Sequence, residues 1–286
     1  VSSVKTLQIG YQAETLLLHK ADDDTLTIKE YINGLSGSEY YAKVTANRFK
    51  TTIRYGRRET VNPATCIEIF LPDSFNGELL LSSQYGNIIT DADWNVERFA
   101  AETTEGSISL STITAPRIRL VSSISLIHIT RAEGFTDIHS VSGTIIADCI
   151  EGGAKLATSS SPIQATFSSL NNIVECETLN GNIQLTLEEE IADCVQLDEN
   201  VTCEKTENGA VLTFAMAGTN GAASMAELQL VPPVTPEIPQ EPQKPENQEE
   251  PSTPEIQETD MLVNKEHGVK LTGEGLTSDM QLSVEK

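Results

Sequence analysis

The sequence predicts an all-β chain whose main part is a parallel β-solenoid, a β-helix-like coil with rungs about 20 residues long, followed by an extended linker. Three observations predict it. A short turn pattern recurs, as in "SQYGNIIT" (83–90), "TTEGSISL" (103–110), "SVSGTIIA" (140–147) and "TLNGNIQL" (178–185). The apolar residues around each turn alternate with a period of two, which is a strand period and not a helical one. Every copy has the same polarity and nearly the same length, so equivalent strands can stack in parallel, one per turn.

The register follows when one position, usually Gly, is taken as zero. That position is Gly86, Gly106, Ser125, Gly143, Ser161 and Gly181, with spacings of 20, 19, 18, 18 and 20. Two residues later stands an Ile in all six copies: Ile88, Ile108, Ile127, Ile145, Ile163 and Ile183. Three residues earlier stands a small hydroxyl: Ser83, Thr103, Ser122, Ser140, Thr158 and Thr178. Five residues earlier the residue is apolar or small: Leu81, Ala101, Leu120, Ile138, Leu156 and Cys176. Strand alternation turns these positions to one face, the core. Gly at zero allows either a positive φ or a close backbone approach at the corner. The inward hydroxyl is placed to bond a corner backbone group that burial would otherwise leave unpaired.

The outward positions test this register independently. Six residues before zero, the last four rungs read Arg119, Asp137, Lys155 and Glu175, a ladder of alternating charge when stacked. Each exposed pair adds only about 0.2–1 kcal/mol. A slip of one residue would carry the Ile column to the surface, which the pattern disfavours.

An earlier rung is expected at Leu7, Ile9, Tyr11, Leu16 and Leu18, with Glu14 at zero. "HKADDDTLTIKEY" (19–31) reads as strand, acidic hairpin turn and strand. "CIEIFLP" (66–72) reads as a buried strand ended by proline, and residues 194–231 as the closure of the far end. The solenoid domain is thus expected over 1–231. Residues 232–258 hold eight of the twelve prolines and seven Glu against one Lys, the composition of a semi-rigid linker. Residues 259–286 read as a fragment of a further β domain, too short for a core of their own.

The net charge of −23 bears on partners. An acidic surface repels phosphate backbones and anionic membrane surfaces, so neither nucleic acid nor direct membrane insertion is expected. No stretch approaches the roughly 20 apolar residues that span a bilayer. A signal peptide and an anchor are expected to lie outside this sequence, with the protein at the cell surface. The five cysteines show no zinc spacing. Either Cys194 and Cys203 close a small disulfide loop or the thiols are free.

The opening "KTLQIGYQAETLLL", the strand "IEIFLPDSFNGELLL" and the serial turns about 20 residues apart resemble a bacterial adhesin-like family, whose domain is called toastrack in envelope-stress proteins. The likeness covers roughly residues 4–215. It implies an all-β solenoid found in surface or envelope proteins. The family offers no catalytic residue to carry over, so no catalytic, cofactor or metal residue is assigned. Ser125 and Ser161 depart from the family's usual Gly, so those corners require a conformation open to Ser. The linker and the tail after it resemble parts of wall-attached proteins of Gram-positive bacteria.

Candidate sites are few. Asp22, Asp23 and Asp24 lack EF-hand spacing and read as a solvated turn. Asp91 and Asp93 flank Trp94, the sole Trp; Trp94 reads either as part of an exposed loop or as a sugar-stacking platform. His19, His128, His139 and His267 are scattered, with His128 and His139 facing outward on different strands. Asn200-Val201-Thr202 matches a glycosylation acceptor by chance. Val121, Ile124, Leu126 and Ile146 fall on outward or corner positions. They form either a partner site or a surface covered by residues 33–58. The expected function is a non-catalytic, extracellular module that displays a flat-sided rod to a glycan, a protein or a second copy of itself. An envelope-stress scaffold and a polysaccharide-active enzyme are the alternatives.

Overall fold

Strand alternation is carried through every rung of the computed structural model, which describes residues 4–31, 41–47, 49–54, 66–192, 201–206, 209–214, 224–228 and 283–285. The chain divides into two units, Val1–Pro232 with Met280–Lys286, and Pro233–Asp279. The second unit lies outside the described residues, as do the linker and all of 259–286 except the short strand at 283–285.

The first rung is β1 (Thr6–Tyr11) and β2 (Thr15–Lys20), on the two sides of a corner at Glu14. Next come β3 (Thr27–Glu30), β4 (Lys43–Ala46), β5 (Lys50–Arg54) and β6 (Cys66–Leu71). The serial rungs then begin with β7 (Glu78–Ser83), β8 (Ile88–Thr90), β9 (Trp94–Asn95) and β10 (Arg98–Thr103). Strands β11 (Ile108–Ser122) and β12 (Ile127–Ser140) run through a whole turn each. They are followed by β13 (Ile145–Glu151), β14 (Ala154–Thr158), β15 (Ile163–Ser169), β16 (Val174–Thr178) and β17 (Ile183–Glu188). A single-turn helix α1 (Glu189–Ala192) leads to β18 (Val201–Thr206), β19 (Gly209–Phe214) and β20 (Ser224–Leu228).

Two parallel stacks face each other across the core. The first runs β5–β1–β7–β10, then the second halves of β11 and β12, then β14–β16. The second runs β6–β2–β8, then the first halves of β11 and β12, then β13–β15–β17. Ile88, Ile108, Ile127, Ile145, Ile163 and Ile183 pair in one column and have no solvent exposure. Full burial of each contributes about 1.5–3 kcal/mol, more than any surface pair can. The earlier rung is in register too: Leu7 lies beside Leu79, Ile9 beside Leu81 and Leu16 beside Ile88. The charge ladder stacks as Arg119, Asp137, Lys155 and Glu175.

Antiparallel strands close both ends. At the start, β4 lies on β5 and β3 on β6. At the far end β20 lies on β16, β19 on β17 and β18 on β19. The strand β21 (Ser283–Glu285) pairs in parallel with β3. One expectation is corrected here. The acidic turn does not close a hairpin, because β6 inserts between β2 and β3 and hydrogen-bonds to both.

The corner glycines settle how the turn is made. Gly86, Gly106, Gly143 and Gly181 are buried and do not adopt positive φ. A Cβ on each would overlap the corner carbonyl of the preceding rung: Glu14, Gly86, Ser125 and Ser161 respectively. Close approach is therefore the requirement. Among the described residues, positive φ occurs instead at the opposite corner, at Gly134 (φ 130°) and Gly152 (φ 132°), and at Gly209 (φ 139°), where β19 begins.

Candidate functional site

The corner at position zero is held by a relay of hydroxyls. Four of the six, Ser83, Thr103, Ser122 and Thr178, accept the zero-position N–H of their own rung and donate to the zero-position carbonyl of the rung before; Ser140 only accepts, from Gly143 N at 2.7 Å, and Thr158 only donates, to Gly143 O at 3.4 Å and Val141 O at 3.5 Å. Thr103 Oγ1 accepts from Gly106 N at 3.0 Å and donates to Gly86 O at 3.2 Å. Ser83 does the same between Gly86 N (3.1 Å) and Glu14 O (2.9 Å), and Thr178 between Gly181 N (3.0 Å) and Ser161 O (3.2 Å). Ser122 joins Ser125 N (3.3 Å) to Gly106 O (3.0 Å). Backbone bonds such as Thr104 N to Gln84 O (3.0 Å) and Ser159 N to Val141 O (2.9 Å) continue the stacking outside them. The edge of the coil is thus a fixed surface whose side chains project from a bonded frame.

On that edge sit Tyr85 (45% exposed), Ile124 (54%), Leu126 (41%), Val141 (57%) and Leu179 (47%). Between two residues before zero and one after, the six rungs from Gly86 to Gly181 carry one charged residue, Glu105. The rest are Ser, Thr, Asn, Gln, Gly and Pro. In a chain of net charge −23, this is a charge-poor row with large exposed apolar side chains on four of its six rungs. It runs roughly 24 Å, five steps of about 4.8 Å. Its flanks are mixed, with Glu102, His139 and Glu177 beside Val121 on the side of the first stack.

The four patch residues read from the sequence separate across this edge. Ile124 and Leu126 stand on it and are exposed. Val121 lies on the outer face of the first stack and Ile146 on that of the second, both half-buried. Of residues 33–58, the described strands β4 and β5 lie beside β1, at the first rung, and do not cover the patch. Tyr85, Val141 and Leu179 were missed. Their signal was apolar character at corner positions that alternation does not classify.

Trp94 is corrected. It is 2% exposed and belongs to the core, so it offers no platform to a sugar. Its position pairs with Ile113, an inward position of the next rung. Its Nε1 donates to Thr90 Oγ1 at 2.8 Å, and Lys20 Nζ caps the ring face at 4.1 Å. The flanking carboxylates do face outward. Asp91 lies 3.3 Å from His19 Nδ1, while Asp93 accepts from Ser111 Oγ (3.0 Å) and Thr112 N (3.2 Å). Hydrogen bonds from Thr112 and Ser111 hold the Asp93 carboxyl below the usual range.

The other titratable groups are tied locally. His128 Nε2 lies 2.8 Å from Asp148, and His139 Nε2 lies 3.2 Å from Asp137. Asp23 accepts Thr25 N within the turn, and Asp24 accepts Ser74 Oγ from the segment between β6 and β7. Burial pushes the Cys176 thiol far up, and burial with Glu68 nearby raises Cys66. Cys66, Cys149, Cys176 and Cys203 carry free thiols, while Cys194, like Asn200 and His267, lies outside the described residues.

The broad outer face of the second stack carries a trough of about 250 Å³ over its last three rungs, lined by Ile146, Asp148, Gln164, Thr166, Gln184 and Thr186. A smaller one, about 180 Å³, lies on the first stack around Gln8, Leu80, Arg98 and Glu102.

The model of the family described as Toastrack DUF4097 matches residues 15–201, well over half of the chain. The chain belongs to that family. No curated protein and no solved structure matches it.

Proposed function

We propose that this toastrack-family chain is a non-catalytic, extracellular cell-surface module, an adhesin-like rod that docks a partner protein along its corner edge. The observation that carries this reading is the row of Tyr85, Ile124, Leu126, Val141 and Leu179 in a strip with one charge. Apolar, charge-depleted centres with polar rims are what protein interfaces bury. The hydroxyl relay supports the reading, because a fixed edge loses little freedom on binding. The acidic remainder of the surface confines close approach to this strip.

The test couples the full chain to beads and measures their retention on bacterial and host cell surfaces. The chain with Ile124→Ser, Val141→Ser and Leu179→Ser is compared with the wild type. Retention that these substitutions abolish supports the reading. Equal retention of both, or release of oligosaccharide by the purified chain, overturns it. Self-association through the same edge is read by sedimentation of both proteins. Capture of a membrane regulator would shift the role from adhesin to envelope-stress scaffold.

A further inference from the structure

The outer face of the second stack is a different surface with different chemistry. Its outward positions three and five residues after zero read Gln164 and Thr166 in one rung and Gln184 and Thr186 in the next. Gln164 pairs with Gln184 and Thr166 with Thr186 across the parallel register, and Ile146 precedes Gln164 in the same column. Amides and hydroxyls are therefore set out as a lattice, about 4.8 Å apart between rungs and about 6.7 Å apart along each strand. Among the described residues, none of these four side chains makes a hydrogen bond to another protein group. The other polar lining residue, Asp148, is engaged by His128 at 2.8 Å.

Each Gln presents a donor pair beside an acceptor, and each Thr hydroxyl both donates and accepts. That set matches neighbouring hydroxyls on a sugar ring, which also both donate and accept. The half-buried Ile146 offers an apolar patch for the C–H face of a ring. The trough holds no cation to attract an acidic chain, and the net charge of −23 repels one. It holds no unengaged carboxylate for a basic chain. With little apolar lining, it gives a protein surface little to bury.

We propose that this trough binds a neutral, linear glycan along the solenoid axis, with Gln164, Thr166, Gln184 and Thr186 as hydrogen-bonding residues and Ile146 as the apolar floor. The site is separate from the corner edge, so the same rod grips a sugar chain on its broad face and a protein on its edge.

The experiment titrates the isotopically labelled full chain with cellohexaose, chitohexaose, laminarihexaose and a hyaluronan hexasaccharide, followed by amide chemical shifts. The expected result is saturable shifts confined to the rungs of Ile146, Gln164 and Gln184 with at least one neutral oligosaccharide and none with hyaluronan. Chitohexaose against the other two separates an N-acetylated source from a plain glucan. Gln164→Ala with Gln184→Ala should weaken the binding roughly tenfold or more, because about two hydrogen bonds are lost. Lys155→Ala, on the opposite face, should leave it unchanged. The proposal is overturned by absent shifts with all three neutral chains, by tighter binding of hyaluronan, or by full affinity in the double variant. Failure here with intact edge-dependent bead retention would remove the glycan site and leave the protein-docking role standing.

Discussion

The glycine corners and the serine corners solve one problem in two ways. At Gly86, Gly106, Gly143 and Gly181 the backbone lies against the preceding rung's carbonyl, and there is no room for a Cβ. At Ser125 and Ser161 the side chain turns partly outward. There Ser125 Oγ donates to Glu105 O and Ser161 Oγ to Ser142 O, both at 2.5 Å. The hydroxyl reaches the carbonyl one residue before zero and so seals the corner from outside. The inner bond is slightly longer there: Ser125 N to Ser122 Oγ is 3.3 Å, against 2.7 Å at Gly143 and 3.0, 3.0 and 3.1 Å at Gly106, Gly181 and Gly86. The glycine preference at these corners therefore reflects space and not handedness, and a residue that bonds outward relieves it.

The largest effect should come from filling a glycine corner. Gly106→Val is expected to cost about 3 kcal/mol, and to lower the melting temperature by roughly 6–12 °C, through overlap with Gly86 carbonyl. Ser125→Val should cost about 1 kcal/mol, since that side chain is already partly outside. Equal losses in thermal melts would break the comparison. Next comes the relay itself. Thr178→Val keeps the shape but leaves Gly181 N–H and Ser161 C=O without their bonds, for about 2 kcal/mol by urea unfolding. Ser161→Gly should fall below about 1 kcal/mol, because its bond is exposed to competing water.

The smallest effects are pH-dependent and sharpen the contrast at the first rung. There Tyr11 replaces the small hydroxyl, and its OH donates to Glu30 Oε1 at 3.0 Å instead of serving the corner. Burial raises the Glu30 carboxyl above its ordinary 4.5, although hydrogen bonds from Ala42 N and Tyr11 oppose the shift. The folded state then holds the proton more tightly than the unfolded one. Its contribution is fully present below pH 4.5 and is lost as pH rises through the folded value. Asp93 has the opposite sign: its contribution is present above pH 3.8 and is lost as pH falls through the lowered folded value. Urea midpoints against pH for Glu30→Gln and Asp93→Ala should each flatten one of these slopes. A Glu30→Gln profile parallel to the wild type would show that burial does not raise that carboxyl.

The rungs were legible because each repeats the same three constraints, so Ile127 or Thr178 is read from its equivalents. Regions with no equivalent were not. Trp94 looked like part of a loop because its rung alone breaks into the short β8 and β9, and only the neighbouring Ile113 shows that it points inward. The acidic turn looked like a hairpin because β6, some 40 residues later, supplies the strand that separates β2 from β3. The apolar patch was half legible. Outwardness is visible at Val121, Ile124, Leu126 and Ile146, but a corner stands between them and sends their side chains to three different surfaces. The trough had its own signal in the repeated Gln-x-Thr of 164–166 and 184–186, at outward positions that core patterning ignores.

The hydroxyl relay also sets what the rod can become. Most rungs are not finished by themselves, since Glu14, Gly86, Gly106, Gly143 and Ser161 leave their corner carbonyls for the hydroxyl of the rung that follows. A cut and rejoin between equivalent positions brings matching halves together, whereas one made mid-rung strands an unmet partner on either side. Length can thus be inherited only in whole turns, each adding about 4.8 Å of reach, and a lineage of such rods would be graduated like a ruler.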